Sequence, residues 1–347
     1  MQKPDRIRPR AVGIAFGRYE PGPLNAITDV DGVLVGQATL IEGARTRTGA
    51  TAILPHGDNL FHNKVPAGIK VLNGYGKFAG STQIAELGEI ETPILLTNTL
   101  AVGRAIEAIN GWTLEQPGNE RVTSINAVVG ETNDSRLNDI RAMRPSVSEM
   151  ICAIRTARSG AVEEGAVGAG TGTVAFGLKG GIGTSSRKLR VAGETLTLGV
   201  LVQANFGGSL RINGRAYENS AVADKDGSIV MVLATDAPLQ SRNLTRLAER
   251  CFGGLALTGA ALSNGSGDYA LAFSTHPALR RTPERRSGVS ETLALPNEKL
   301  SPLFEAAIEA SEEAIVNALA MASPMEGFDT ATARPSFYDA LRLPADS

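Results

Sequence analysis

The sequence reads as a single α/β domain, on three observations. Short β-branched runs alternate with segments of helical period along most of the 347 residues, and no linker-like stretch divides them. A content of 39 glycines against one tryptophan suits tight turns and closely packed layers.

Taken in order, a loose N-terminus precedes β-rich segments at 31–39, 51–54 and 68–72. Residues 93–96 read as a strand and 101–110 as a helix with Val102, Ile106 and Ile109 on one face. A further apolar run of strand type covers 125–129, and 147–156 is helical. The β-branched runs 195–204 and 228–234 have the length of buried strands, and 269–273 is another apolar strand. The clearest helices are 244–251, with Asn243 placed to cap it, and 302–321, where Phe304, Ile308, Ile315 and Leu319 recur at helical spacing. Residues 207–227 and 282–300 read as surface connectors, with Arg280, Arg281, Arg285 and Arg286 in a solvated loop.

A net charge of −2 and a pI near 6.0 argue against nucleic-acid or anionic-membrane partners, which need clustered Lys and Arg. The basic opening (Lys3, Arg6, Arg8, Arg10) has no apolar run behind it, so it is not a secretory signal. No apolar stretch reaches the roughly 18 residues that a membrane span needs. Cys152 and Cys251 are too few for a disulfide framework and read as small buried hydrophobes in a reducing, cytoplasmic setting. The histidines, at 56, 62 and 276, are not spaced as metal ligands, so no metal or other cofactor is expected. Their scarcity also leaves little material for a Ser-His-Asp triad.

One glycine motif invites a nucleotide-binding reading, because Gly170-Thr171-Gly172-Thr173-Val174-Ala175 matches G-x-G-x-x-A. A dinucleotide fingerprint follows a strand and opens a helix. Here the preceding segment reads as helix and the following TVAFGLKG as strand or hairpin. These glycines instead suit tight turns or close backbone approach in a sheet lining a cleft.

The chemistry concentrates around the junction Gly227–Ser228, where the polar loop 213–227 runs into the apolar strand starting at 228. A serine is a poor nucleophile without a base. As the first residue of a new chain, it could use its own α-amine, with a pKa of about 7.7–8.0. That arrangement needs a small residue before the serine, a loop that can move away after cleavage, and a strand that holds the serine rigidly. All three are present, although an ordinary turn entering a strand looks the same. Ser266 and Asp268, in Ser263-Asn264-Gly265-Ser266-Gly267-Asp268, could bring a hydroxyl and a carboxylate to such a serine. Asn205 ends the strand 195–204 and could donate into an oxyanion hole. Glu131, in Gly130-Glu131-Thr132-Asn133-Asp134 after the strand 125–129, could hold a substrate ammonium. A turn, a strand end and a helix cap are the plain alternatives.

The chain resembles the DmpA-type aminopeptidases, which include the L-aminopeptidase/D-esterase and the β-peptidyl aminopeptidases. The matching stretches are GPLNAITDVDGVLVGQ (22–37), TGATAILPH (48–56), KVPAGIKVLNGYGK (64–77), ETPILLTNT (91–99), VVGETND (128–134), GTGT (170–173), VQANFG (202–207), DGSIVMVLATDAPL (226–239) and SNGSGDYALAFS (263–274). The resemblance implies a four-layer αββα sandwich of N-terminal-nucleophile type that cuts itself into an α chain, 1–227, and a β chain, 228–347. It implies Ser228 as nucleophile and, with Gly227, as the self-cleavage point. It also implies Ser266 as the second serine contacting it, Asn205 as oxyanion donor and Glu131 as the binder of the substrate's free amine. Asp268 falls where some β-peptidyl enzymes carry Glu, and Asn133 where members often carry an aromatic residue near the substrate. The expected substrate is a small peptide or an amino-acid amide or ester, and the αβ units are expected to form a homo-oligomer. Two alternatives stand beside this reading. One is an acyltransferase of the ornithine acetyltransferase type, whose nucleophile is usually threonine. The other is a binding protein of the same fold that does not process.

Overall fold

Strand-forming and helix-forming segments alternate because the chain builds two stacked sheets and covers each with helices. The structure, a computed structural model, describes residues 6–217 and 227–343. Strands β1 (Leu34–Glu42) and β2 (Thr46–Leu54) form a hairpin. There follow β3 (Val65–Gly74), β4 (Phe78–Ala79), α1 (Ser81–Leu87), β5 (Glu89–Ile90), β6 (Ile94–Asn98), α2 (Val102–Leu114), β7 (Val128–Thr132) and α3 (Val147–Arg155). A short hairpin, β8 (Val174–Ala175) and β9 (Leu178–Lys179), leads into the long pair β10 (Gly181–Val191) and β11 (Glu194–Asn205). After the small hairpin β12 (Arg211–Ile212) and β13 (Arg215–Ala216) come β14 (Ser228–Thr235), α4 (Ser241–Leu257), β15 (Gly267–Ser274), α5 (Pro283–Arg286) and α6 (Ser301–Ala320). The hairpin β16 (Met325–Asp329) and β17 (Arg334–Tyr338) closes the described chain.

One sheet has the order β1-β2-β6-β7-β4 and the other β10-β11-β14-β15-β3-β5. Helices α2 and α3 cover the outer face of the first, and α4 and α6 that of the second, so the layers run αββα as expected. Three apolar cores fill the three interfaces. Leu95, Val129, Ile109 and Ile154 lie between the first sheet and its helices. Ile53, Leu96 and Val128 meet Leu201, Val230 and Phe273 between the sheets. Val200, Met231, Leu233, Leu247, Ile315 and Leu319 join the second sheet to α4 and α6. Strand β14 therefore sends Val230 and Val232 one way and Ile229, Met231 and Leu233 the other. Burial on both faces is why it reads as a continuous apolar run. Each such side chain contributes about 1.5–3 kcal/mol when fully buried.

Several expectations shift. The strand expected at 125–129 is β7, displaced so that Glu131 lies inside it. Glu91 accepts from the Asn126 N–H at 2.9 Å and Thr92 from the Val128 N–H at 3.3 Å, while pairing with β6 continues to Thr132. Helix α4 starts at Ser241, so Asn243 sits in its first turn and donates to Asn297 instead of capping. Cys251 is buried but Cys152 is exposed, because α3 turns Met150, Ala153 and Ile154 toward its sheet.

The N-terminal segment is pinned rather than loose. Arg8 pairs with Glu164 at 2.6 Å and Arg10 with Glu313 at 2.6 Å, and Arg6 donates to the Leu341 carbonyl at 3.0 Å, bringing the two ends of the described chain together. Within the cluster 280–286, Arg280 pairs with Asp58 and Arg281 with Glu89, both at 2.8 Å. Of the connector expected at 207–227, residues 218–226 lie outside the described residues. No helix among the described residues is long and apolar enough to cross a membrane.

Candidate active site

Strand pairing gathers residues that lie far apart in sequence. Ser228 opens β14, where its register partners are Asn205, the last residue of β11, and Gly267, the first residue of β15. The oxyanion candidate thus lies on one side of Ser228, and Ser266 and Asp268 flank its partner on the other. A single donor, the Gly267 N–H, reaches both the Gly227 carbonyl at 3.2 Å and Ser228 Oγ at 3.3 Å. Residue 227 has to be glycine here, since a Cβ would come within 2.4 Å of both the Asn205 carbonyl oxygen and Phe206 Cα.

Ser266 Oγ donates to Asp268 Oδ1 at 2.6 Å, and Asn73 Nδ2, across the ladder on β3, donates to Oδ2 at 2.8 Å. Burial pushes the Asp268 carboxyl above its ordinary value, and these two hydrogen bonds pull it back in part. The neighbouring Tyr269 phenol is pushed up to about 12 by burial and by the charges of Glu131 and Asp268. Asn205 is oriented by a donor that has no acceptor character. The Val174 N–H bonds its Oδ1 at 3.0 Å, so the oxygen end of the amide must face Val174 and the NH2 end turns away from it, on a residue that lines the same cavity as Ser228.

Glu131 is buried, with the Lys77 N–H on Oε1 at 2.9 Å and the Thr99 hydroxyl on Oε2. Lys77 Nζ lies 3.8 Å from Oε1. Ser228, Asn205, Glu131 and Asn133 all line one cavity of about 1000 Å³, to which the β16–β17 hairpin contributes Asp329 and Ala331. Asn133 is exposed and accepts the Ser135 N–H at 3.0 Å. Ser266 and Asp268 are buried behind the wall. All six predicted side chains therefore converge. The arrangement offers a hydroxyl at a strand start, amide donors beside it, a serine–carboxylate pair behind it and a carboxylate across the cavity for a cation.

Residue reading missed Asn73, Thr99, Lys77 and the Gly267 N–H. The first three lie in stretches that carry the resemblance, Asn73 and Thr99 at the ends of β3 and β6 and Lys77 just before β4. The last is a backbone group, which residue identity does not disclose.

The profile of peptidase family S58 matches residues 25–333. The chain is 40% identical over 352 residues to the beta-peptidyl aminopeptidase BapA of Sphingosinicella microcystinivorans, covering 92% of this chain and 87% of that one. Its fold is similar to that of the PH0078 protein of Pyrococcus horikoshii OT3, with a TM-score of 0.89 and 45% identity over 97% and 96% of the two chains. It is also similar to the l-aminopeptidase d-ala-esterase/amidase of Ochrobactrum anthropi, described as a prototype of the serine aminopeptidases and a variant of the Ntn-hydrolase fold. There the TM-score is 0.87 and the identity 36%, over 96% and 95% of the chains. A two-sheet αββα core with a serine heading a central strand, matched over nearly its whole length, places the chain in peptidase family S58.

Proposed function

We propose that the protein is a self-processing serine aminopeptidase that cuts itself between Gly227 and Ser228, leaving chains 1–227 and 228–347. The observation that carries this is the position of Ser228 at the head of β14, with Asn205 and Gly267 as its register partners. In processing, Ser228 Oγ attacks the Gly227 carbonyl carbon, its proton passing toward Ser266 and Asp268. The Gly267 N–H, 3.2 Å from the Gly227 oxygen, stabilises the charge that builds there. The C–N bond breaks as the Ser228 nitrogen takes a proton, and water hydrolyses the resulting ester to a Gly227 carboxylate and a free serine amine.

In turnover that amine takes the proton from Ser228 Oγ as it attacks the substrate's first peptide, amide or ester carbonyl. Asn205 Nδ2 donates to the oxyanion, a contact typically worth about 2.7–4 kcal/mol. The proton passes on to the leaving group, and water then frees the acyl group. Glu131 holds the substrate ammonium, which restricts the enzyme to chains with a free amino end, and Asn133 borders the side-chain space. The names of the relatives support small peptides and β-amino-acyl substrates. Exposed Val71, Leu72 and Tyr75 offer apolar surface for assembly of αβ units into a homo-oligomer. Free cysteines at 152 and 251 suit a cytoplasmic setting.

A denaturing gel with N-terminal sequencing tests this reading. The wild type should give two fragments, one starting at Ser228, and Ser228→Ala should stay whole, near 36.2 kDa, and inactive. A wild type that never splits, or an alanine variant that cuts, overturns it. Transfer of an acyl group to glutamate in place of hydrolysis would favour the acyltransferase reading.

A further inference from the structure

Behind the cavity wall, Lys179 lies wholly inside the protein. Its Nζ donates to the carbonyls of Gly170 at 2.9 Å, Thr173 at 2.8 Å and Gly180 at 2.8 Å. Three acceptors around one nitrogen match an ammonium, which has three N–H donors, better than an amine, which has two, and they hold the proton against a burial that pulls the Lys179 pKa down to about 7. The Thr173 carbonyl and the Val174 N–H are opposite ends of one planar peptide group. The Val174 N–H is the donor that holds Asn205 Oδ1 at 3.0 Å. A cation on one end of an amide draws electron density along it and strengthens the N–H at the other end. The Asn205 side chain is itself an amide, so the same polarisation passes to its NH2 end, on the residue that pairs with Ser228 across β11 and β14. Glycine beside the lysine lets its segment lie against Thr173 and β11, since a Cβ on Gly180 would come within 2.4 Å of the Ala204 carbonyl oxygen and 3.1 Å of Thr173 Oγ1.

We propose that Lys179 is a positioning residue of the active site, whose ammonium, acting through the Thr173–Val174 peptide, orients and polarises the Asn205 amide. The inference rests on the reading of Asn205 as oxyanion donor. The test compares Lys179→Met, Lys179→Gln, Asn205→Ala and the double variants in steady-state kinetics on an amino-acid anilide. Rates are normalised to the fraction of chain cut before Ser228. Lys179→Met should lower kcat at least about 10-fold, with KM within about twofold. Lys179→Gln, which keeps N–H donors but no charge, should fold even if the methionine variant does not, and should also lose kcat. In the Asn205→Ala background neither change should lower kcat further. A wild-type kcat in the folded Lys179 variants, or losses that multiply fully with that of Asn205→Ala, overturns the proposal. If Asn205→Ala itself keeps wild-type kcat, the oxyanion reading fails and carries this inference with it.

Discussion

Asp268 is held between two donors, Ser266 Oγ and Asn73 Nδ2, inside a strand that buries it. The donors favour the ionised form and burial disfavours it, with burial the larger effect. Its carboxyl therefore titrates above the ordinary 3.8. Under the proposed mechanism the ionised carboxylate, the stronger acceptor, draws the Ser266 proton and so lets that oxygen take one from Ser228. Activity should thus be lost as pH falls through the raised value, below a first loss where the serine amine protonates. The acid limb of log kcat/KM should steepen from slope one to slope two. Asp268→Asn should remove the steepening and lower kcat by about 10² or more. A variant profile that still steepens rules this assignment out. At this scale the sequence disclosed the side chains that converge around the cavity, because they stand at or near strand ends beside small residues. It did not disclose Lys179, a single cation in a glycine-rich stretch whose bonds run to backbone carbonyls.

At the scale of elements, β10 and α6 show why part of the fold was not legible. The apolar pattern marked α6 but not β10, where Thr184, Ser185 and Ser186 are all fully buried. Their hydroxyls are satisfied by the Val200 carbonyl, the Ala310 carbonyl and Asp29, so a polar strand occupies an interior position. The next residue, Arg187, is wholly buried and pairs with Glu313 of α6 at 2.7 Å and Glu309 at 3.1 Å. Arg10 meets the same Glu313, so one carboxylate ties the N-terminal segment, β10 and α6 together. Partners 303 positions apart leave no local signal, which is why the N-terminus read as loose. Burial pushes Glu313 up, but the Arg10 hydrogen bond and the charges of Arg187 and Arg10 outweigh it and hold it below its ordinary 4.5. Its contribution is therefore present above pH 4.5 and lost as pH falls through the lower folded value. Glu313→Gln should cost about 3–5 kcal/mol in urea unfolding at neutral pH, because it leaves the buried Arg187 guanidinium and the half-buried Arg10 guanidinium short of charge. A loss under about 1 kcal/mol would show that the cluster is not what joins these elements.

For the whole molecule, the proposed cut divides the second sheet through its middle. Strands β10, β11 and β3 would belong to one chain and β14 and β15 to the other, interleaved in the order β10-β11-β14-β15-β3. The ladder of β14 begins at Ser228, so of its bonds the cut touches only the first, from the Gly267 N–H to the Gly227 carbonyl, and leaves the pairs beyond it within the strand. Helices α4 and α6 of the second chain also cover strands of the first. The fragments should elute together on size exclusion and unfold in a single urea transition. Free elution of either fragment under native conditions would contradict this. The contact between Arg6 and the Leu341 carbonyl has a further use. Since residues 6 and 341 are neighbours, circular permutation is open, with a short linker joining residue 343 to residue 6 and a start codon placed directly before Ser228. Removal of the initiator methionine would then expose the serine amine by translation. Maturation and catalysis become separable, and variants too impaired to cut themselves can still be assayed as enzymes.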